Sequence, residues 1–307
     1  MDLMPYFYRA YGLSISSDFR LPPLPERAAT ALVDLTIRSG QLPAKPPMVP
    51  SKAWRAGLQA QFAQTDQHHL WLDWPPLITF VARHGNELIV DTAQTDDQVL
   101  SLFTLSEALG LILFQKGYFL LHGSAVRLSD GGVVFLGEPG AGKSTTVAAF
   151  AAKGAGVISD DMVCIRPGPA GDHTLIPAFS QVKIWQNSVD GLALPLDSMT
   201  PVREGINKFS WHESFPFDEE PVPLKQLVVL LPPNTPGSIT TPVLSSQVPV
   251  ELLHHFPLPD ALLNGLELKK CFEQSVAIAR TTPLFRMSRP ATFTDLYSFV
   301  DRLNATP

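Results

Sequence analysis

The chain has 307 residues, 45% of them hydrophobic and 17% charged, which is enough apolar material for one large core or two ordinary ones and excludes global disorder. Lys and Arg number 23 against 29 Asp and Glu, a formal charge of −6 that argues against a general nucleic-acid binder. The two cysteines, Cys164 and Cys271, are far apart and outside any CxxC spacing, so a disulfide scaffold and a zinc ribbon are excluded and a reducing compartment is expected.

Residues 1–95 read as a β-rich domain with nothing catalytic in it. Loose alternation over Tyr8–Ile15 predicts a strand, ended by Leu-Pro-Pro-Leu-Pro-Glu at 21–26, and Val33–Ile37 predicts a second. The proline-rich piece Leu42–Pro50 reads as a connection. His69–Trp74, Ile78–Ala82 and Glu87–Val90 follow as strands, with His-Gly-Asn-Glu at 84–87 as a hairpin turn. A helix is then expected, with Asp96 and Asp97 at its positive end, apolar residues near helical spacing from Val99 to Leu113, and Gly117 as its stop. Its apolar run Ala108–Phe114 is cut by Gln115 and Lys116, short of the roughly 20 residues that a membrane span needs. The first residues carry an early acid and no long apolar run, so no secretory signal is expected. These readings predict a soluble cytoplasmic protein with no membrane partner.

From Tyr118 the pattern becomes that of a nucleotide-binding core, and residues 96–307 read as one α/β domain. Strands are expected over Tyr118–Leu121, Ser124–Leu128 and Val133–Leu136, then a glycine-rich loop over Gly137–Gly142, a helix from Lys143 to Lys153, and a strand Val157–Ser159 carrying Asp160 and Asp161 at its end. Further strands are expected at Val182–Trp185, Leu224–Leu231 and Leu284–Met287, with Pro195–Glu220 as a loop-rich stretch. Two helices complete the chain. Leu266–Arg280 is expected to carry Leu268, Phe272 and Ala279 on one side, and the last, after Pro290, to turn Leu296, Phe299, Val300 and Leu303 to the core.

Gly137-Glu138-Pro139-Gly140-Ala141-Gly142-Lys143-Ser144 satisfies GxxxxGK[ST] at every fixed position, and Thr145 follows. A phosphate must lie against backbone N–H groups, so side chains have to be absent and the following helix must aim its free N–H groups at the anion. Lys143 is placed to neutralise phosphate oxygens and Ser144 to offer a hydroxyl to Mg²⁺. The strand before and the helix after are the context that the motif requires. The acidic pair lies one helix and one strand further on, near enough to reach the loop. One carboxylate can serve the metal and the other the acceptor hydroxyl; the structural alternative is a solvated Asp-Asp turn. His122, just upstream of the loop, is by itself more often structural.

Taken together, Leu-His-Gly-Ser-Ala-Val at 121–126, the phosphate loop through Thr145, and Gly-Ala-Gly-Val-Ile-Ser-Asp-Asp at 154–161 resemble the kinase domain of HPr serine kinase/phosphorylase, in the manner of its shorter, divergent relatives. Tyr-Arg-Ala-Tyr-Gly-Leu at 8–13, the leucine-proline segment and the C-terminal Thr-Thr-Pro-Leu-Phe-Arg-Met-Ser-Arg-Pro-Ala-Thr-Phe are similar to that group as well. The resemblance implies a mixed α/β fold of the HPr kinase/phosphoenolpyruvate carboxykinase type, ATP and Mg²⁺ as cofactors, and phosphoryl transfer to a serine of a small protein or peptide. By position, Asp160 would be the base, His122 its partner, Lys143 the phosphate ligand, and Ser144 with Asp161 the metal ligands. The family's Glu-Arg-Gly segment has no counterpart at 176–191, so no phosphorylase activity is expected, and the second metal carboxylate and a downstream arginine are unmatched. Lys183 and Lys208 are candidate cations, each more often a surface residue. A non-catalytic nucleotide-sensing module and a small-molecule kinase are the alternative functions. Relatives of this kind can be hexameric, which leaves a homo-oligomer open.

Overall fold

The computed structural model describes residues 4–168, 170–202, 207–212, 215–232 and 240–305. The protein is mixed α/β, with two compact units: residues 1–120 with 256–271, and residues 121–255 with 272–307. The first unit therefore extends past residue 95, because the expected helix packs on the sheet that precedes it.

The first unit is built on eight strands: β1 (Tyr6–Ala10), β2 (Leu13–Ser17), β3 (Leu35–Ser39), β4 (Val49–Arg55), β5 (Leu58–Asp66), β6 (His69–Trp74), β7 (Ile78–Arg83) and β8 (Glu87–Asp91). They form one sheet in the order β1-β2-β3-β8-β7-β6-β5-β4. The single strand expected over Tyr8–Ile15 is instead a hairpin. Tyr11 and Gly12 both take positive φ, 51° and 70°, the backbone of the tight turn that joins twisted strands. His84 and Gly85 do the same at φ 51° and 70°, in the turn where a hairpin is expected. Strands β4 and β5 lie where no strand is expected, because polar residues interrupt their alternation.

Asp96 caps the helix, its side chain accepting from Gln98 N–H. The helix is not continuous. It runs as α1 (Asp97–Phe103) and α2 (Leu109–Gln115), with a wider π-type turn at 104–108 between them. Contrary to the sequence reading, Asp97–Gln115 is long and apolar enough to cross a membrane by length and composition. Every residue from Ala108 to Phe114 is nevertheless buried inside the protein, as in a core helix. The wide turn places Glu107 against Arg55 in a two-pronged ion pair, with Nε to Oε2 at 3.0 Å and Nη2 to Oε1 at 2.9 Å. Burial acts to raise the Glu107 carboxyl, but the Arg55 charge and hydrogen bonds outweigh it and hold the group below its ordinary value.

The second unit opens with β9 (Phe119–His122), β10 (Ser124–Leu128), β11 (Gly131–Leu136), α3 (Lys143–Ala152), β12 (Gly156–Ser159), β13 (Met162–Arg166) and β14 (Thr174–Ile176). It continues through β15 (Val182–Trp185), α4 (Gln186–Leu192), β16 (Met199–Pro201), β17 (Lys208–Trp211), β18 (Val222–Leu231), β19 (Thr240–Pro242) and α5 (Val248–His254), and closes with α6 (Gly265–Thr281), β20 (Leu284–Ser288) and α7 (Phe293–Ala305). Strands β12, β10, β11 and β18 are successive neighbours, and β20 lies along the C-terminal half of β18. β11, β18 and β20 are mutually parallel. Strands β15, β17 and β16 make a separate small sheet, inside the stretch partly read as loop. Helix α3 is buried against the main sheet, with α7 beside it. Phe150 meets Phe135 with ring centroids 5.6 Å apart, and Val147, Val228, Met287, Leu296 and Val300 complete that core. The stripe read on α7 is the buried one. On α6 it is not: Leu268 and Phe272 are exposed, while Cys271, Ser275 and Ile278 are buried.

Candidate active site

The phosphate loop leaves β11 at Gly137, whose φ of 141° takes it out of reach of most residues. A Cβ there would meet the Leu230 carbonyl oxygen at 2.6 Å. The loop closes at Gly142, which starts α3 at φ 95°. Lys143 is buried and donates to the Gly137 carbonyl at 2.7 Å and the Glu138 carbonyl at 3.4 Å. Burial lowers its pKa, against the pull of Asp160, Asp161 and Glu138. Thr145 shares a hydrogen bond with Ser188 of α4 at 2.9 Å. The Glu138 side chain turns outward, 2.9 Å from His254 Nε2.

The acidic pair reaches this loop through strand register. β10 and β12 run antiparallel with Ala125 opposite Ser159, so Ser124 comes level with Asp160. Ser124 Oγ donates to Asp160 Oδ1 at 2.6 Å, and Ser144 Oγ donates to the same oxygen at 2.9 Å. The other oxygen, Oδ2, accepts the backbone N–H of Lys183 at 2.8 Å. Desolvation raises the Asp160 carboxyl and the charge of Asp161 adds to this, against the hydrogen bonds from Ser124 and Lys183. Asp161 sits at φ 69°, a left-handed backbone that is uncommon outside glycine. Its Oδ2 pairs with Lys183 Nζ at 2.7 Å, the lysine side chain being only 18% exposed.

Lys143, Ser144, Asp160, Asp161 and Lys183 therefore form one cluster. Ser144 is set against Asp160, whereas the resemblance implies Asp161 as its metal partner. Lys183 is a site residue, not a surface lysine; Lys208 lies over the Trp185 ring at 5.7 Å. His122 is fixed through its backbone N–H, which donates to the His255 carbonyl at 2.6 Å. Ser124, in the Leu-His-Gly-Ser-Ala-Val segment, joins the site beyond the residues expected from the sequence; its signal is its place two residues past His122 on a strand paired with the acidic one.

Among the described residues, no three His, Cys, Asp or Glu side chains come together as a metal cage. One hydroxyl and one carboxylate in contact nevertheless suit Mg²⁺, which keeps water and phosphate oxygens as its other ligands.

No family model matches the chain, and no curated protein matches it. Among solved structures it is similar to the Hpr(Ser) kinase/phosphatase from Coxiella burnetii, with 13% identity over 60% of this chain and 92% of that one and a TM-score of 0.28. A likeness that slight carries no argument about this chain's chemistry.

Proposed function

We propose that the chain is a Mg·ATP-dependent phosphotransferase that moves the γ-phosphoryl group to a hydroxyl, specifically the serine of a small protein or peptide. The observation that carries this reading is the contact between Ser144 and Asp160, which joins the phosphate loop to the acidic pair. Mg²⁺ held by Ser144 and Asp160 would neutralise charge on the transferred group. It would also relieve the Asp160 carboxylate, whose present donors are two hydroxyls and an amide. Lys143 leaves the loop carbonyls for the phosphates. Asp161 is then the acid left to accept the hydroxyl proton as the acceptor oxygen bonds to phosphorus and ADP departs. This reverses the division of labour that the resemblance implies. Lys183 is a positioning residue: its backbone holds one carboxylate and its ammonium the other. The cytoplasm is the compartment in which ATP and a reducing environment coincide.

Incubation with γ-labelled ATP, Mg²⁺ and a panel of serine peptides and hydroxyl metabolites, followed by mass spectrometry, tests the reading. Labelled phosphoserine in a peptide is the expected product. Tight nucleotide binding with no transfer to any acceptor would support a nucleotide-sensing module instead.

A further inference from the structure

Strands β11, β18 and β20 point the same way, so their C-terminal ends share one edge of the sheet. Ligands of open α/β sheets bind outside such an edge. β11 delivers the phosphate loop to it, and β20 delivers Arg289. The Arg289 backbone N–H donates to the Leu231 carbonyl, at the end of β18, at 3.3 Å. Its side chain lies directly on the loop: a Cβ on Gly142 would come to 2.5 Å from Arg289 Cδ and 2.7 Å from Nε. Phe293 backs the guanidinium, its ring centroid 6.0 Å from Cζ.

This arginine differs from others in the protein. Arg55 is matched by Glu107 and Arg286 by Glu251. Arg289 Nε is buried with no hydrogen-bond partner. Burial alone acts on the ionisation of the group, lowering its pKa, and no carboxylate opposes it. Arg289 is partly buried, and a cation withdrawn from water without a counter-charge is costly; here it rests on a loop whose sequence is built for anions.

We propose that Arg289 is a phosphate ligand of this site, its guanidinium donating to a non-bridging oxygen of the polyphosphate seated on Gly137–Ser144. The proposal rests on the phosphate-loop reading. It is tested by calorimetric titration of ATP, inorganic tripolyphosphate and adenosine into the wild-type protein and the Arg289→Met and Arg289→Lys variants, with thermal melting as the check on folding. Arg289→Met should weaken ATP and tripolyphosphate together by about 10- to 100-fold, the range for a charge-assisted hydrogen bond, and leave adenosine unchanged. Arg289→Lys should recover part of the loss, since it keeps the charge without the planar fork. If Arg289→Met does not fold, weakened tripolyphosphate binding in Arg289→Lys carries the same conclusion. Wild-type tripolyphosphate affinity in the folded variants overturns the proposal alone, as does a loss confined to adenosine and ATP. Failure of the wild-type protein to bind either polyphosphate overturns the phosphate-loop reading with it.

Discussion

The two units treat buried charge in opposite ways. In the first, Arg55 grips Glu107, and the buried Asp73 takes both Lys45 Nζ and the Thr79 hydroxyl at 2.9 Å. In the second, Asp160 is held by hydroxyl and amide dipoles against the repelling charge of Asp161, Lys143 by backbone carbonyls, and Arg289 Nε by no partner. A satisfied set stabilises a fold and asks nothing further, whereas an unsatisfied set at the C-terminal edge of parallel strands is where a charged ligand gains most.

The largest effects should come from the acidic pair of the second unit. Asp160→Asn is expected to cut phosphoryl transfer by roughly 10³-fold and to raise the Mg²⁺ requirement. Asp161→Asn should lose about 10²- to 10⁴-fold in kcat with metal dependence unchanged. Measuring kcat against Mg²⁺ for both decides the division of labour, and the opposite pattern would return the base to Asp160. In the satisfied set the expected loss is in stability. Arg55→Met strands the Glu107 carboxylate and should cost about 3–5 kcal/mol in urea unfolding. Pairing it with Glu107→Leu should restore most of that, and nucleotide affinity should be unaffected by either.

A smaller effect is expected at Lys183, which belongs to the site through both its backbone and its ammonium. Lys183→Met keeps the backbone hydrogen bond to Asp160 and removes the ion pair with Asp161, so kcat should fall roughly 10- to 100-fold, with partial rescue by Lys183→Arg and a shifted acid limb of the pH–rate profile. An unchanged profile would reduce Lys183 to a structural lysine. The smallest effect concerns His255, whose pKa burial lowers from 6.5 to about 4 despite Glu251. The folded protein holds this ring neutral while the unfolded chain protonates it, so its stabilising contribution is intact above pH 6.5 and is lost as pH falls towards 4. Between pH 7 and 5 the loss should be on the order of 2 kcal/mol, and His255→Gln should flatten that part of the stability curve.

Much of this was legible along the chain because the physics is local. A phosphate loop needs glycines at fixed spacing before a lysine and a helix, so residues 137–145 and α3 could be read directly. Strands β6, β7 and β8 declared themselves by apolar runs and a turn at His84-Gly85. One local reading failed for a local reason: Tyr11-Gly12 sets a hairpin turn inside a loosely alternating stretch.

By itself the sequence determined that a glycine-rich loop of phosphate-loop pattern, an acidic pair and a β-rich first unit are present, since each is written in neighbouring residues. That Ser124 meets Asp160 was decided by the register of β10 on β12, and the place of Lys183 by the strand that brings its backbone to Asp160. The place of Arg289 was decided by parallel strands far apart in the chain ending on one edge. Those three are products of strand pairing across long sequence separations, and residue type and spacing carry no record of which distant strands will become neighbours.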